Sequence, residues 1–180
     1  MKKSLLLIAV FMLTIACGNS EKSKGESSSS PILKSDIESP CEILSEAEIK
    51  DVLEIPSDAE TTMNEKDTTF PVCFYKWKSI TFPSTMKMGS IEKTLDYPAE
   101  LSIVLVKNAS ENKFNTSVSI YDDGENQDDV AEMAVWSPKK AQLTFLSGDY
   151  LIHVHVRTTA DVAANRAKAV QVAKMIVNKI

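Results

Sequence analysis

Two histidines lie two residues apart near the end of the chain, in the stretch "LIHVHVR" that contains His153 and His155. If this stretch is a strand, both imidazoles project from one face, and two imidazoles so placed can bind a transition metal. A tight site generally needs a third or fourth protein ligand, and the chain contains no other histidine. Carboxylates or methionines such as Met86, Met88 or Met133 would therefore have to complete the site.

The same alternation has a simpler interpretation. In an antiparallel sheet with one solvated face, the aliphatic residues of this stretch face the helices, and His153, His155 and Arg157 face water. Two polar side chains next to each other on an open sheet face need no ligand to explain their presence. We therefore expect no metal site here and keep His153 and His155 as the residues of an alternative, metal-binding function.

Cys17 ends an apolar run near the start of the chain and is followed by polar residues. Two lysines precede the run, which is the layout of a secretory signal. The run is shorter than the roughly 20 apolar residues that a membrane-spanning helix needs. Residues 13–16, "LTIA", followed by Cys17, resemble the bacterial lipobox, whose cysteine receives a diacylglyceryl thioether. The resemblance implies that residues 1–16 are a signal peptide and that lipid on Cys17 attaches the protein to a membrane.

A polar stretch, "GNSEKSKGESSSSP", follows Cys17 and contains no aromatic or aliphatic residue. Such a segment has too little apolar surface to fold alone and is typical of a flexible tether. We therefore divide the chain into a signal peptide (1–16), a lipidated cysteine with its linker (17–36) and one globular domain (37–180). Gly18, where lipoproteins retained in the inner membrane would carry Asp, implies an outer-membrane lipoprotein of the cell envelope.

Cys41 and Cys73 remain as an even pair in an exported chain. In an oxidising compartment such a pair predicts a disulfide. A metal pair or a redox pair would be the other interpretations, but two distant thiols supply too few metal ligands, and no Cys-x-x-Cys is present.

Charge and motifs exclude several classes of function. Without residues 1–16 the chain has 18 basic against 25 acidic side chains, a formal charge of −7, and no basic cluster. This composition argues against nucleic acid as a partner. No Gly-x-Ser-x-Gly motif or phosphate-binding glycine loop is present, so we expect neither catalysis nor a cofactor. The acidic stretch 122–129 lacks the ligand spacing of a calcium loop and is predicted to be a solvated loop.

The remaining patterns predict the elements that position these residues. Ser45 and Glu48 have capping-box spacing at the start of an amphipathic helix that ends before Pro56. Period-two alternation predicts strands in "VCFYKWKSI" and "AELSIVLVK", and a strand pair in "AQLTFL" and "YLIHVHV". A weaker helix follows Ser110, and a final helix begins near Asp161. The order favours an α+β fold, with an antiparallel sheet of four to five strands and helices on one face.

These segments also resemble those of a group of small bacterial lipoproteins of unknown function that share a two-cysteine α+β envelope domain. The similar stretches are "CEILSEAEIKDVL", "VCFYKW", "AVW" and "GDYLIHVHV", followed by an alanine-rich helix. The resemblance implies that the two cysteines link the first helix to the first strand, and that the domain has no known catalytic residues. The sequence thus predicts a noncatalytic envelope lipoprotein whose open sheet face binds an envelope protein, a peptide or a small ligand.

Overall fold

The computed structural model describes residues 37–180, and the predicted signal peptide, Cys17 and the predicted linker lie outside the described residues. The described chain forms one antiparallel sheet of seven strands and three α-helices. The strands are β1 (Thr62–Lys66), β2 (Val72–Met88), β3 (Ile91–Val106), β4 (Glu125–Asn126), β5 (Met133–Ser137), β6 (Gln142–Ser147) and β7 (Tyr150–Arg157). The helices are α1 (Glu46–Leu53), α2 (Glu111–Val118) and α3 (Val162–Val177), and a 3-10 turn covers Pro40–Glu42.

The α+β class and the antiparallel sheet are confirmed, but the sheet has seven strands rather than four to five. The strand order across the sheet is β1-β2-β3-β7-β6-β5-β4. The additional strands lack a clear period-two signal. All five residues of β1 are exposed, β4 has only two residues, and β5 is five residues long. The edge strands β1 and β4 are held by pairing with a neighbour rather than by burial, so alternation does not reveal them, whereas β5 is a short inner strand that buries Trp136.

The predicted helices are present. Ser45 caps α1 in a reciprocal capping box with Glu48, and the helix ends at Leu53 because Glu54 adopts a left-handed backbone conformation ahead of Pro56. Asp161 caps α3 by accepting from two amides of its first turn. The expected strand pair is the β6–β7 hairpin, whose turn contains Gly148 at a φ of 53°.

The helices do not all lie on one face of the sheet, so that part of the prediction is wrong. α1 and α3 contribute to the main core with Ile152, Val154 and the alternate residues of the neighbouring strands. Phe114 of α2 packs instead against Leu151 and a separate apolar cluster on the opposite face. We call this opposite face the open face, because α2 covers only one end of it. The chain segments that connect α2 to β3 and β4 determine which face of the sheet the helix covers. The amphipathic pattern of the helix alone does not specify this face.

The hairpin of β2 and β3 extends well beyond the rest of the sheet. Its register is interrupted between Trp77 and Thr81, and residues 81–98 then pair only with each other. We call residues 81–98 the hairpin arm. Gly89, with a φ of 62°, forms its tight turn, where a side chain would be strained. The arm places polar and aromatic residues beside the end of β7.

Candidate functional site

A shallow depression of about 480 Å³ lies on the open face, over strands β1, β2, β3 and β7. Strand pairing explains how distant residues meet there. Asn64 pairs with Phe74, Phe74 with Ser102, and Ser102 with His155, so these four side chains form one row across the sheet. Directly paired residues of antiparallel strands project from the same face, which places their side chains side by side.

A second row of residues runs parallel to the first and carries the charge. It crosses Thr62, Lys76, Glu100 and Arg157 in adjacent strands. The Lys76 Nζ lies 3.7 Å from a Glu100 carboxylate oxygen. The site therefore combines an apolar floor with both signs of charge, which suits a ligand that has an apolar group beside a polar one.

His155 links the depression to the rest of the open face. Its Nδ1 donates to the Lys140 carbonyl oxygen over 2.9 Å, because a carbonyl oxygen can only accept. Its Nε2 lies 3.5 Å from the Glu100 carboxylate. The hydrogen bond from His155 lowers the pKa of Glu100, and the charges of Lys76 and Arg157 act in the same direction. Glu100 is therefore held as a carboxylate in the middle of the site.

Phe74 supplies the apolar part of the depression. Its side chain is 38 % exposed, and the Lys66 Nζ lies 5.1 Å from its ring centroid. An aromatic ring left open on a sheet face can stack on an apolar group while the lysine interacts with the ring. The alternation of "VCFYKW" places Phe74 and Lys76 on one face, but no local pattern shows that Glu100 and His155 join them there.

His153 lies on the same face as His155 but is only partly exposed there, so the expectation that it faces water is met only in part. Its Nδ1 lies 2.8 Å from the Thr144 hydroxyl, and that hydroxyl lies 2.7 Å from the Tyr121 hydroxyl. Tyr121 follows α2, and α2 shields this end of the open face. Burial lowers the pKa of His153 to about 4, so its ring is neutral at neutral pH.

The two histidines have different surroundings although they share a strand face. His153 bonds to Thr144, and His155 bonds to the Lys140 carbonyl and lies beside Glu100. Within residues 37–180 no group of three or more His, Cys, Asp or Glu side chains is placed to hold a metal ion. Of the methionines considered as further ligands, Met86 accepts a hydrogen bond from Tyr97 in the hairpin arm, and Met133 packs near Phe114.

The predicted cysteine pair is confirmed at disulfide distance. Cys41 and Cys73 are bonded, with their Cα atoms 5.2 Å apart. Cys73 is fully buried in β2, and Cys41 lies in the 3-10 turn before α1. The bond therefore fastens the start of the domain to the strand that carries Phe74 and Lys76. Cys17, the predicted lipidation site, lies outside the described residues.

The acidic stretch 122–129 is tied to the rest of the domain through its side chains. Asp123 accepts from the Ser137 hydroxyl and the Lys139 amide, and Asp129 lies 2.6 Å from the Lys174 Nζ. These contacts lower the pKa of both carboxyls. The prediction of a fully solvated loop is therefore too simple, since β4 and these contacts organise the segment.

No helix in the described part of the chain is long and apolar enough to cross a membrane. Comparison of the chain with protein-family models, with curated proteins and with solved structures finds no match.

Proposed function

We propose that this protein is a noncatalytic lipoprotein of the outer membrane of the cell envelope, and that its open face binds an extended peptide segment of another envelope protein. The single observation that carries the binding proposal is the position of the depression around Phe74 directly beside β1. Among residues 37–180 that strand has β2 as its only neighbour in the sheet, and all five of its residues are exposed. The proposed anchor is the predicted lipid on Cys17, and its support is the lipobox resemblance.

The edge of β1 supplies the backbone part of the proposed recognition. An edge strand presents amide and carbonyl groups on its outer side, and an extended peptide can pair with them as an additional strand. Glu65 and Lys66 place charges of both signs on this short edge. Charges on a short edge strand disfavour indiscriminate strand pairing and leave room for selective pairing.

The depression supplies the side-chain part. A peptide paired with β1 directs alternate side chains to the open face, next to Asn64 and Phe74. An apolar or aromatic side chain then contacts the Phe74 ring, and a neighbouring polar group reaches Lys76 on the same strand. We expect the recognised motif to contain an aromatic or aliphatic residue flanked by polar residues, in extended conformation.

A peptide selection tests this proposal. A phage-displayed random peptide library is selected on the full chain carrying Cys17→Ser, which removes the predicted lipid site, and the enriched peptides are synthesised. We expect NMR shifts on titration to cluster at β1, Phe74 and Ser102. Phe74→Ala should weaken binding about tenfold or more, because a central aromatic contact usually dominates such an interface.

Ile91→Ala is the matched control, since Ile91 is also an exposed apolar residue, 64 % accessible, but lies at the tip of the hairpin arm. It should leave peptide binding unchanged within twofold. Enriched peptides that bind elsewhere on the domain, or that bind Phe74→Ala as tightly as the parent chain, would overturn the proposal.

The alternative is a metal-binding envelope protein that uses His153 and His155. Its one supporting observation is the Glu100 carboxylate 3.5 Å from the His155 Nε2, which places two donor groups together. Titration of the tag-free protein with zinc and copper tests it. Submicromolar binding that is lost in His155→Gln would establish this function, and the absence of such binding would reject it.

A further inference from the structure

A second concavity, separate from the depression, lies where the hairpin arm meets the end of β7. Its volume is about 420 Å³, and it is bounded by the arm, by the turn between β5 and β6, and by the loop that leads into α3. We call it the arm cleft. Arg157 and His155 reach it from β7, Ser84 and Thr85 from the arm, and Lys139 and Lys140 from the turn.

Arg157 is held in the arm cleft by neutral groups. Its Nη2 donates to the Ser84 hydroxyl over 2.8 Å. The guanidinium carbon lies 5.1 Å from the Tyr97 ring centroid and 5.7 Å from that of Phe82. An arginine in contact with two aromatic rings loses little further freedom when it binds a ligand, because its planar group is already positioned.

Arg157 forms no ion pair within the described part of the chain. Glu100 faces it across the β3–β7 pair, near enough for the Arg157 charge to lower the Glu100 pKa, but the close contacts of the Glu100 carboxylate are with Lys76 and His155. A partly buried guanidinium usually has an anionic partner, since its charge is costly to desolvate. The positioned group therefore retains the capacity to bind an anion.

The fixed charges that line the arm cleft have one sign. Lys139 and Lys140 line it together with Arg157, and no Asp or Glu does. Lys139 is already paired with Asp122 at 2.6 Å, but Lys140 forms no ion pair with a described residue. Arg157 and Lys140 are thus two cationic side chains that line one small cleft and form no ion pair with a described residue. This local excess contrasts with the acidic character of the chain, whose formal charge is −5.

We propose that the arm cleft binds the phosphate group of a small phosphorylated molecule or of a phospholipid headgroup. Arg157 and Lys140, neither of which forms an ion pair with a described carboxylate, match the nearly two negative charges of a phosphate monoester and also suffice for the single charge of a phospholipid phosphodiester. Arg157 donates two parallel hydrogen bonds to the phosphate, Lys140 adds a point charge, and the Thr85 and Thr159 hydroxyls complete the polar wall. The volume suits one small ligand.

The side-chain NMR signals of the arginines test this site in the full chain carrying Cys17→Ser. Inorganic phosphate and glycerol phosphate are titrated, with sodium chloride at matched ionic strength as the reference. We expect a saturable shift of the Arg157 Nε–Hε signal with both phosphate compounds and none with chloride. Sedimentation with phosphatidylglycerol vesicles then shows whether a lipid headgroup is also bound.

Arg157→Lys is the informative variant, because it keeps the charge and removes the planar pair of donors. It should weaken phosphate binding about tenfold or more, whereas Arg166→Lys should change it less than twofold. Arg166 is paired with Glu125 at 2.7 Å and does not line the cleft. Equal responses to phosphate and chloride, or phosphate binding that Arg157→Lys leaves unchanged, would overturn the proposal. If Arg157→Lys fails to fold, Lys140→Gln takes its place with the same criteria.

Discussion

At the scale of single residues, His153 and His155 show how two side chains with the same sequence pattern acquire different chemistry. His153 bonds to Thr144 beneath the end of the open face that α2 covers, and His155 bonds to the Lys140 carbonyl and lies beside Glu100. Their spacing predicts a shared face, and this is confirmed. The difference between them depends on Tyr121 and α2, which long-range packing brings to the open face.

His153 should make the domain less stable as the pH falls from 7 to 5. Its pKa is about 4 in the folded state, compared with about 6.5 in the unfolded chain. As the pH falls, the unfolded chain therefore takes up the proton first, and this stabilises the unfolded state relative to the folded state. The free energy of unfolding should decrease by about 2 kcal/mol over this interval because of His153. Urea unfolding at the two pH values measures the change.

The variant His153→Gln should lose most of this pH dependence, and His155→Gln should keep it. At pH 7 the His153 substitution should itself cost about 1 kcal/mol, because the contact with Thr144 is disturbed. This is more than the surface-scale change of about 0.5 kcal/mol expected for a histidine that faces water. If His153→Gln retained the full loss of stability between pH 7 and pH 5, the assignment of a buried neutral His153 would be wrong.

At the scale of elements, the start of α1 combines a local cap with a tertiary contact. The Ser45 amide donates to Glu48 over 2.8 Å, and the Lys179 Nζ lies 2.8 Å from the same carboxylate. The Lys179 contact and the Ser45 hydrogen bonds lower the pKa of Glu48 to about 2. Stability from Glu48 is therefore present above its unfolded pKa near 4.5 and is lost as the pH falls toward 2.

Removal of the α1 cap should destabilise the domain measurably. Ser45→Ala leaves the Glu48 amide without its hydroxyl acceptor and should cost about 1 kcal/mol in thermal or urea unfolding. Ser110→Ala is the matched control at α2, where the cap bond to the Lys113 amide is 3.4 Å long and no reciprocal carboxylate is present. Equal losses in the two variants would contradict a specific contribution of the capping box.

The disulfide connects two elements that lie far apart in the sequence, the 3-10 turn and β2. Closing a loop across the sequence separation of 32 should stabilise the fold by about 3 to 4 kcal/mol. For a domain of this size, loss of the bond should lower the unfolding midpoint by about 10 °C. Cys41→Ala is the cleaner variant, because Cys73 is fully buried and its truncation also leaves a cavity.

Thiol alkylation of the exported, folded protein gives an independent check of the bond. Cys41 and Cys73 should not react until a reductant is added, and Cys73→Ala should then lower the midpoint at least as far as Cys41→Ala. Two reactive thiols in the non-reduced folded domain would refute the predicted bond.

The elements that the sequence predicts are those with a strong local signal. The cap at Ser45, the alternation in β7 and the aliphatic spacing in α3 each require only neighbouring residues, and all three elements are present. β1 and β4 have little such signal and depend on a partner strand. The row from Asn64 to His155 joins four strands, and its register is fixed only when the sheet is assembled.

At the scale of the whole molecule, the binding surfaces lie on a domain that we propose to be held at a membrane by the lipid on Cys17. Glu100 lines the depression by Phe74 and Arg157 lines the arm cleft, and the two residues pair directly across β3 and β7. His155 lines both. A peptide and a phosphate-bearing ligand would therefore bind at adjacent positions on the domain.

The most direct test of the central claim, that this is a lipid-anchored envelope protein, is metabolic labelling with an alkyne analogue of palmitate in a bacterial host. The wild-type chain is compared with Cys17→Ser and with Cys41→Ala, which removes a different cysteine. We expect wild type and Cys41→Ala to incorporate the label and Cys17→Ser not to, because only Cys17 follows the lipobox-like residues. Equal labelling of wild type and Cys17→Ser would contradict the claim.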